Sequence, residues 1–550
     1  MRFLRSVIVA LSFSIPTLLA QTNNPITRDV VRNAEKLFGL DFSDEKIDLM
    51  LPGLKDQLDN YEVMRRFPLS NGIPPAIQFN PLPVSFRFEN QRRKFRASPT
   101  LKIKLPANSN ELAFLSIGEL AALIKTRQIT SEKLTRFYLD RLKKFGPKLE
   151  CVITLTENLA LEQAGRADRE IAAGKYRGPL HGIPYGAKDL IAVKGIPVTW
   201  GAAPYTNQVF DFDATVIKRL ESAGAVLVAK TSLGELAMDN TWFGGSTRNP
   251  WNLKQGSSGS SAGSSAGTAA GLFAFGIGSE TYGSIISPCD RCGVTGLRPT
   301  YGRVSRVGAM SLSWTMDKIG PICRTVEDCA LVFNTIHGPD GIDQTVYDAP
   351  FNYDAKVNLK KLRIGFLQTD FEKEKGERKE NDEATLAKLR ELDLKLIPME
   401  LPKYPLGNIS FLLSTEGAAA LDELTLSNQD DWLKQQFAGS WPNTFRKRRF
   451  IPAVEYLRAQ RIRYLLIQDT AKVFEDVDVI VAPSQSGNSV LLSNLTGHPS
   501  VVVPNGFSKA GTPTSVCFIG KLFGEAELLA LAKKYQDATD FHRKHPALPD

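Results

Sequence analysis

Between residues 244 and 284 the chain reads GGSTRNPWNLKQGSSGSSAGSSAGTAAGLFAFGIGSETYGS, and a Lys-Asp pair, Lys188-Asp189, stands upstream. Serines framed by glycines, together with a lysine, are suited to nucleophilic acyl transfer. A serine hydroxyl attacks a carbonyl well only when a base removes its proton. Lysine can be that base only when burial favours its neutral form. Glycine and serine at this density are expected to stay out of the core. They should instead bring backbone N–H groups together, aimed at a bound oxygen. From 265 to 275 the residues are small or apolar and suit one tightly packed buried helix. Residues 278–284 read as a second small-residue loop.

Two general chemistries fit such a segment. A phosphate cradle needs GxxxxGK[ST], and no lysine closes this one. An α/β-hydrolase elbow, GxSxG, occurs as Gly259-Ser260-Ser261-Ala262-Gly263 and as Gly263-Ser264-Ser265-Ala266-Gly267. An elbow follows a strand directly, whereas residues 249–255 look loop-like. A serine esterase with His498 or His542 as base stays open at this point. The histidines are His181, His337, His498, His542 and His545, without an HxH or HExxH pair, which weakens a metallohydrolase reading. No cofactor or metal is expected. The cysteines are Cys151, Cys289, Cys292, Cys323, Cys329 and Cys517, with Cys289-Asp-Arg-Cys292 a lone CxxC. A metal site would want a second pair, so structural thiols, or at most one or two bridges, are expected.

Several ordered motifs together resemble the amidase signature family. Ser258-Gly259-Ser260-Ser261-Ala262-Gly263-Ser264 resembles its GGSSGGS but departs from it, with Ala262 in place of a slightly more flexible Gly. Glu280-Thr281-Tyr282-Gly283-Ser284 ends on a serine 24 residues beyond Ser260. Gly293-Val-Thr-Gly-Leu-Arg-Pro-Thr-Tyr-Gly-Arg-Val-Ser-Arg306 and Gly178-Pro-Leu-His-Gly-Ile-Pro-Tyr-Gly-Ala-Lys-Asp189 match two further motifs, and Asp317-Lys-Ile-Gly-Pro321 and Asn494-Leu-Thr-Gly-His-Pro499 look like signposts. The resemblance covers about 111–545 and extends to the A subunit of tRNA-dependent amidotransferase and to fatty acid amide hydrolase. It implies a Ser-Ser-Lys triad. Lys188 takes the proton of Ser260, Ser260 that of Ser284, and Ser284 forms an acyl-enzyme with a small-molecule amide. Backbone N–H groups of Thr281, Tyr282, Gly283 and Ser284 would hold the oxyanion. The alternatives are an amidotransferase A-subunit-like protein and a catalytically silent amide-binding protein. Tyr282 stands where relatives have Gly or Asp and is expected to narrow or cap the acyl side. Ile286 replaces a frequent Arg, which argues against a small carboxylate-bearing amide.

These residues need a scaffold. Ser116-x-x-Glu119 is a capping box ahead of a helix, and Thr130 opens another with Leu134, Phe137, Tyr138, Leu142 and Phe145 on one face. Strands are expected at 151–155, 225–230, 362–367, 477–483 and 500–504, and helices at 159–173, 214–223, 325–336, 383–392 and 525–539. The alternation predicts an α/β fold, a central mixed β-sheet covered by helices on both faces. Residues 371–383 read as a solvated loop or helix start. Ahead of the amidase domain (111–545) lies an extension, 21–110, with one or two helices over 25–66 and then an extended segment wrapping a larger body.

Residues 1–20 place Arg2 and Arg5 before a short apolar run broken by Pro16, and Ala20-Gln21 suits cleavage. This reads as a signal peptide, so export to the periplasm or beyond is expected, without stable membrane insertion after cleavage. Hydrophobic residues are 43% and charged residues 23%, an ordinary globular composition that excludes a polytopic membrane protein and a largely disordered chain. The net charge of +9 is spread among acids, so a solvated surface is expected rather than nucleic-acid binding. A homodimer is allowed for.

Overall fold

The structure is a computed structural model, and it describes residues 25–66, 69–99 and 102–548. The expected leader lies outside the described residues. The described chain forms two units, divided after Leu69. The first is a helix pair, α1 (Arg28–Phe38) and α2 (Asp44–Arg65). Thr27 caps α1 by accepting from the Val30 N–H, and Gly39 ends it in a left-handed conformation.

The second unit is built on one mixed sheet of 11 strands. In chain order these are β1 (Val152–Leu155), β2 (Pro184–Lys188), β3 (Val226–Thr231), β4 (Phe275–Glu280), β5 (Thr295–Arg298), β6 (Lys318–Cys323), β7 (Ile364–Leu367), β8 (Leu396–Met399), β9 (Val479–Pro483), β10 (Ser500–Phe507) and β11 (Pro513–Gly520). Their spatial order is β1-β3-β2-β4-β6-β5-β10-β11-β9-β7-β8. β2 runs parallel to both β3 and β4, while β4, β6, β5, β10, β11 and β9 pair antiparallel in succession. Successive strand residues feed opposite cores: Val226, Val228 and Val502 join one apolar cluster, and Leu227, Val501 and Val503 another. The α/β fold with helices on both faces is therefore as expected. The Ser116–Glu119 capping box is present, and Thr130 caps the helix Ser131–Leu149.

The glycine-serine segment differs from expectation. It is core. The buried helix is α3 (Ala262–Ala269), buried at every residue and shorter than the expected 265–275. Gly271, at φ +63°, ends it, and Phe275 already begins β4. The expected 278–284 loop is likewise shortened to 281–284, because β4 continues to Glu280. The small residues are needed where α3 presses on the sheet. A Cβ on Gly278 would lie 2.7 Å from Ser261 Oγ, and one on Gly276 3.0 Å from Ser264 Cβ.

Two smaller differences follow from long-range partners. The 371–383 run is helical on both sides of residues 374–375, within Gln368–Lys373 and Gly376–Glu391. Asp382 there is buried against the Asn505 amide, and Arg378 pairs with buried Asp290, so the run is not simply solvated. All six cysteines are buried and free. Residues 70–99 carry almost no regular structure and lie along the second unit, with the Arg96 N–H donating to the Tyr353 carbonyl at 2.9 Å.

Candidate active site

Lys188 is the last residue of β2, a strand buried on both faces between β3 and β4. Gly186 allows this close fit, since a Cβ there would meet Phe273 and Thr231 at 2.8 Å. The Lys188 ammonium nitrogen donates to Ser260 Oγ at 2.8 Å, Ser279 Oγ at 3.0 Å, Ser261 Oγ at 3.1 Å and the Ser279 carbonyl at 3.3 Å. Among the described residues no carboxylate lies within salt-bridge distance of it. Burial pushes its pKa down to about 7, against the weaker upward pull of Asp317 and Glu280. Such an amine is neutral in a useful fraction of molecules near neutral pH.

Ser260 and Ser261 lie just ahead of α3, and the Gly259–Ser260 peptide is cis. Gly259 packs so tightly that a Cβ would fall 1.8 Å from the Asp239 carbonyl oxygen. The Ser261 N–H donates to the Ser284 carbonyl at 3.0 Å, which joins the two serine loops through the main chain. Side chains of Ser260 and Ser284 are not hydrogen-bonded to each other. Ser284 Oγ has no hydrogen-bond partner among the described residues, and Ser284 is 8% exposed.

The 281–284 turn links β4 to the helix α4 (Ile286–Cys292). Gly283 adopts φ +82°, a conformation that favours glycine. Among the described residues the N–H groups of Thr281, Tyr282, Gly283 and Ser284 donate to no acceptor. The next two are different: Ile285 and Ile286 donate to Glu280 Oε2 at 2.8 and 3.0 Å. The Glu280 carboxylate also accepts from Arg298 and Asn494, each at 2.8 Å. Burial opposes its charge, but these donors overcome it and hold its pKa at about 2. The Glu280 carboxylate thus ties down the two residues after the turn, while the turn's own four consecutive N–H groups have no acceptor among the described residues. Free backbone donors on neighbouring residues are the kind of group an oxyanion site uses.

Asp189, the neighbour of Lys188, faces the other way. It accepts from Lys230 Nζ at 2.7 Å, and from the Thr199 N–H and hydroxyl at 2.8 and 2.6 Å. Tyr282 is 42% exposed, so its ring does not turn into the core, and burial raises its phenol pKa. A Cβ on Gly487 would lie 4.0 Å from the phenol oxygen. Ile286 is fully buried. His498 is also buried; it bonds Thr496 Oγ1 at 2.7 Å and stacks on Phe474, and burial lowers its pKa to about 3. Neither His498 nor His542 is hydrogen-bonded to a serine of the two GxSxG matches.

Ser279 escapes sequence reading, and the roles of Glu280 and Asp317 do too, although both stand in motifs quoted above. Ser279 touches Lys188 twice, yet its stretch reads as loop; seen as a strand, 275–280 would put Ser279 on the face of Ile277. Glu280 reads only as part of a motif. Asp317 accepts from Thr281 Oγ1 at 2.6 Å, and burial raises its pKa.

Comparison with known proteins places the chain in a family. A family model described as Amidase matches residues 133–492. The A subunit of glutamyl-tRNA(Gln) amidotransferase from Acinetobacter baumannii is 34% identical over 488 residues, covering 80% of this chain and 99% of the relative. Native peptide amidase from Stenotrophomonas maltophilia superposes with a TM-score of 0.71 at 31% identity, over 79% of this chain and 99% of that one. An amidase family protein from Bacillus anthracis str. Ames gives 0.72 at 27% identity, over 80% and 94%. The fold and these relatives define a hydrolase acting on C–N bonds. The chain belongs to the amidase signature family.

Proposed function

We propose that the chain is an exported amidase that cleaves a carboxylic amide through a seryl acyl-enzyme, its amidase domain spanning 111–545 behind a leader (1–20) and an extension (21–110). Neutral Lys188 accepts the proton of Ser260, and Ser260 that of Ser284, as Ser284 Oγ bonds to the amide carbon. The carbonyl electrons move onto oxygen, facing the N–H groups of Thr281 to Ser284. The intermediate collapses as the C–N bond breaks, and the proton returns through Ser260 to the departing nitrogen. Water then enters by the same relay and releases the acid. The observation that carries this reading is the 2.8 Å contact of a buried lysine, without a counter-ion among the described residues, with Ser260 Oγ. Pre-steady-state kinetics on a panel of acyl p-nitroanilides should show a burst in the parent and none in Ser284→Ala. An undiminished burst in that variant would exclude Ser284.

A second reading is the A subunit of an amidotransferase, favoured by the near-complete coverage of that relative. Co-purification with further subunits would support it. Export rests on residues 1–20, and N-terminal sequencing of native material should return a start near Gln21. Recovery of Met1 in the cytosolic fraction would refute it. Tyr282 bounds the acyl side, so Tyr282→Gly should improve kcat/KM for bulky acyl groups relative to small ones.

A further inference from the structure

Residues 70–99 precede the region matched by the family model, and one of them grips the site's support. The Asn71 side chain pairs with the main chain of Ser311 in both directions: it accepts from the Ser311 N–H at 2.8 Å and donates to the Ser311 carbonyl at 2.8 Å. It also donates to the Ala420 carbonyl at 3.1 Å. The next two N–H groups, of Leu312 and Ser313, donate to Asp317 Oδ2 at 2.8 and 2.9 Å. The other oxygen, Asp317 Oδ1, accepts from Thr281 Oγ1 at 2.6 Å. Thr281 is the first residue of the turn with the four unclaimed N–H groups. The same extended segment supports the 311–317 turn from a second side. The Phe79 ring centre lies 3.6 Å from the guanidinium of Arg463, which donates to Thr315 Oγ1 at 2.7 Å and to the Thr315 carbonyl at 2.9 Å.

We propose that Asn71 is a positioning residue of the amidase site, holding the 311–317 turn so that Asp317 fixes Thr281 and the N–H groups that follow it. This rests on the reading of that loop as the oxyanion site. The bonds are short and consecutive, and each link is a directional hydrogen bond between groups with little freedom. An amide that pairs with a main-chain N–H and C=O sets both the position and the tilt of the peptide. A small displacement of Thr281 would be felt directly by donors whose value depends on geometry.

The competing explanation is that Asn71 only fastens the extended segment to the body. A double-mutant cycle separates the two. In the full-length protein, the second-order rate of Ser284 labelling by a fluorophosphonate and the melting temperature are measured for the parent, Asn71→Ala, Thr281→Val and the double variant. Positioning through Thr281 slows labelling about tenfold in Asn71→Ala. It also leaves the double variant within about twofold of Thr281→Val, because one link cannot be broken twice. A parent-like rate in Asn71→Ala, or losses that multiply in the double variant, would overturn the proposal. Should Asn71→Ala fail to fold, Asn71→Asp takes its place in the cycle. It keeps the acceptor for the Ser311 N–H and loses both donated bonds, and the same non-additivity with Thr281→Val is required of it. A fluorophosphonate adduct found away from Ser284 in the parent would refute the reading of the site itself, independently of the cycle.

Discussion

Lys188 and Lys230 stand on neighbouring strands, β2 and β3, and both are fully buried. In the strand register Lys188 faces Thr231 and Lys230 faces Ala187, so the two lysines are one residue out of step and leave opposite faces of the sheet. On one face Lys230 meets a carboxylate, Asp189, at 2.7 Å. Burial lowers its pKa, but the pair with Asp189 pulls it back. On the other face Lys188 meets three hydroxyls and a carbonyl, and its pKa falls to about 7. Burial alone therefore does not make a reactive amine. Lys188, buried among hydroxyls, is left with a pKa in the range a base would need, whereas Lys230, lowered as well, is held in an ion pair with Asp189. The chain keeps both, a strand apart.

The strongest way to break this comparison is to remove each lysine. Lys188→Ala should reduce acylation by roughly 100- to 10,000-fold, the range of a lost general base. Thermal stability should be unchanged or higher, since an unpaired buried amine is itself costly. A rate within tenfold of the parent would undo the assignment of Lys188. Lys230→Met should act on stability, because Asp189 is left buried and unpaired. Urea denaturation should show a loss of about 3–5 kcal/mol. Adding Asp189→Asn should recover part of it; a single variant as stable as the parent would erase the distinction between the two sites.

A pH profile sharpens the contrast further. Protonation of Lys188 removes the base, so acylation should fall about tenfold per pH unit below about 7 and level off above it. The limb should vanish in Lys188→Ala and persist in the Lys230→Met/Asp189→Asn protein. A parent profile flat across neutrality would contradict a lysine base.

Much of the scaffold is legible because its signals are local. The Ser116–Glu119 box, the Thr130 cap and the run VLVAKT each encode their element within a few residues. The strands that carry the site lack such signals. PYGAK, FGIGSE and KIGPIC have few β-branched residues and no alternation, because they are buried on both faces and use glycine for close approach. The candidate residues Lys188, Ser260 and Ser284 stand out by motif, and the structure bonds the first two. Their supports stand in quoted motifs as well, but which pairs with which cannot be read. Thr281 finds Asp317 36 positions away, and Glu280 finds Asn494 214 positions away, distances at which a single sequence carries no pattern.

The most direct test of the central claim is to treat the protein with a fluorophosphonate on both sides of neutrality and to map the modified peptide by mass spectrometry. The expected result is one adduct on Ser284, forming faster above about pH 7 than below it and lost in Ser284→Ala. An adduct on Ser260, Ser261 or Ser265, or one on Ser284 that forms equally fast in Lys188→Ala, would contradict the account.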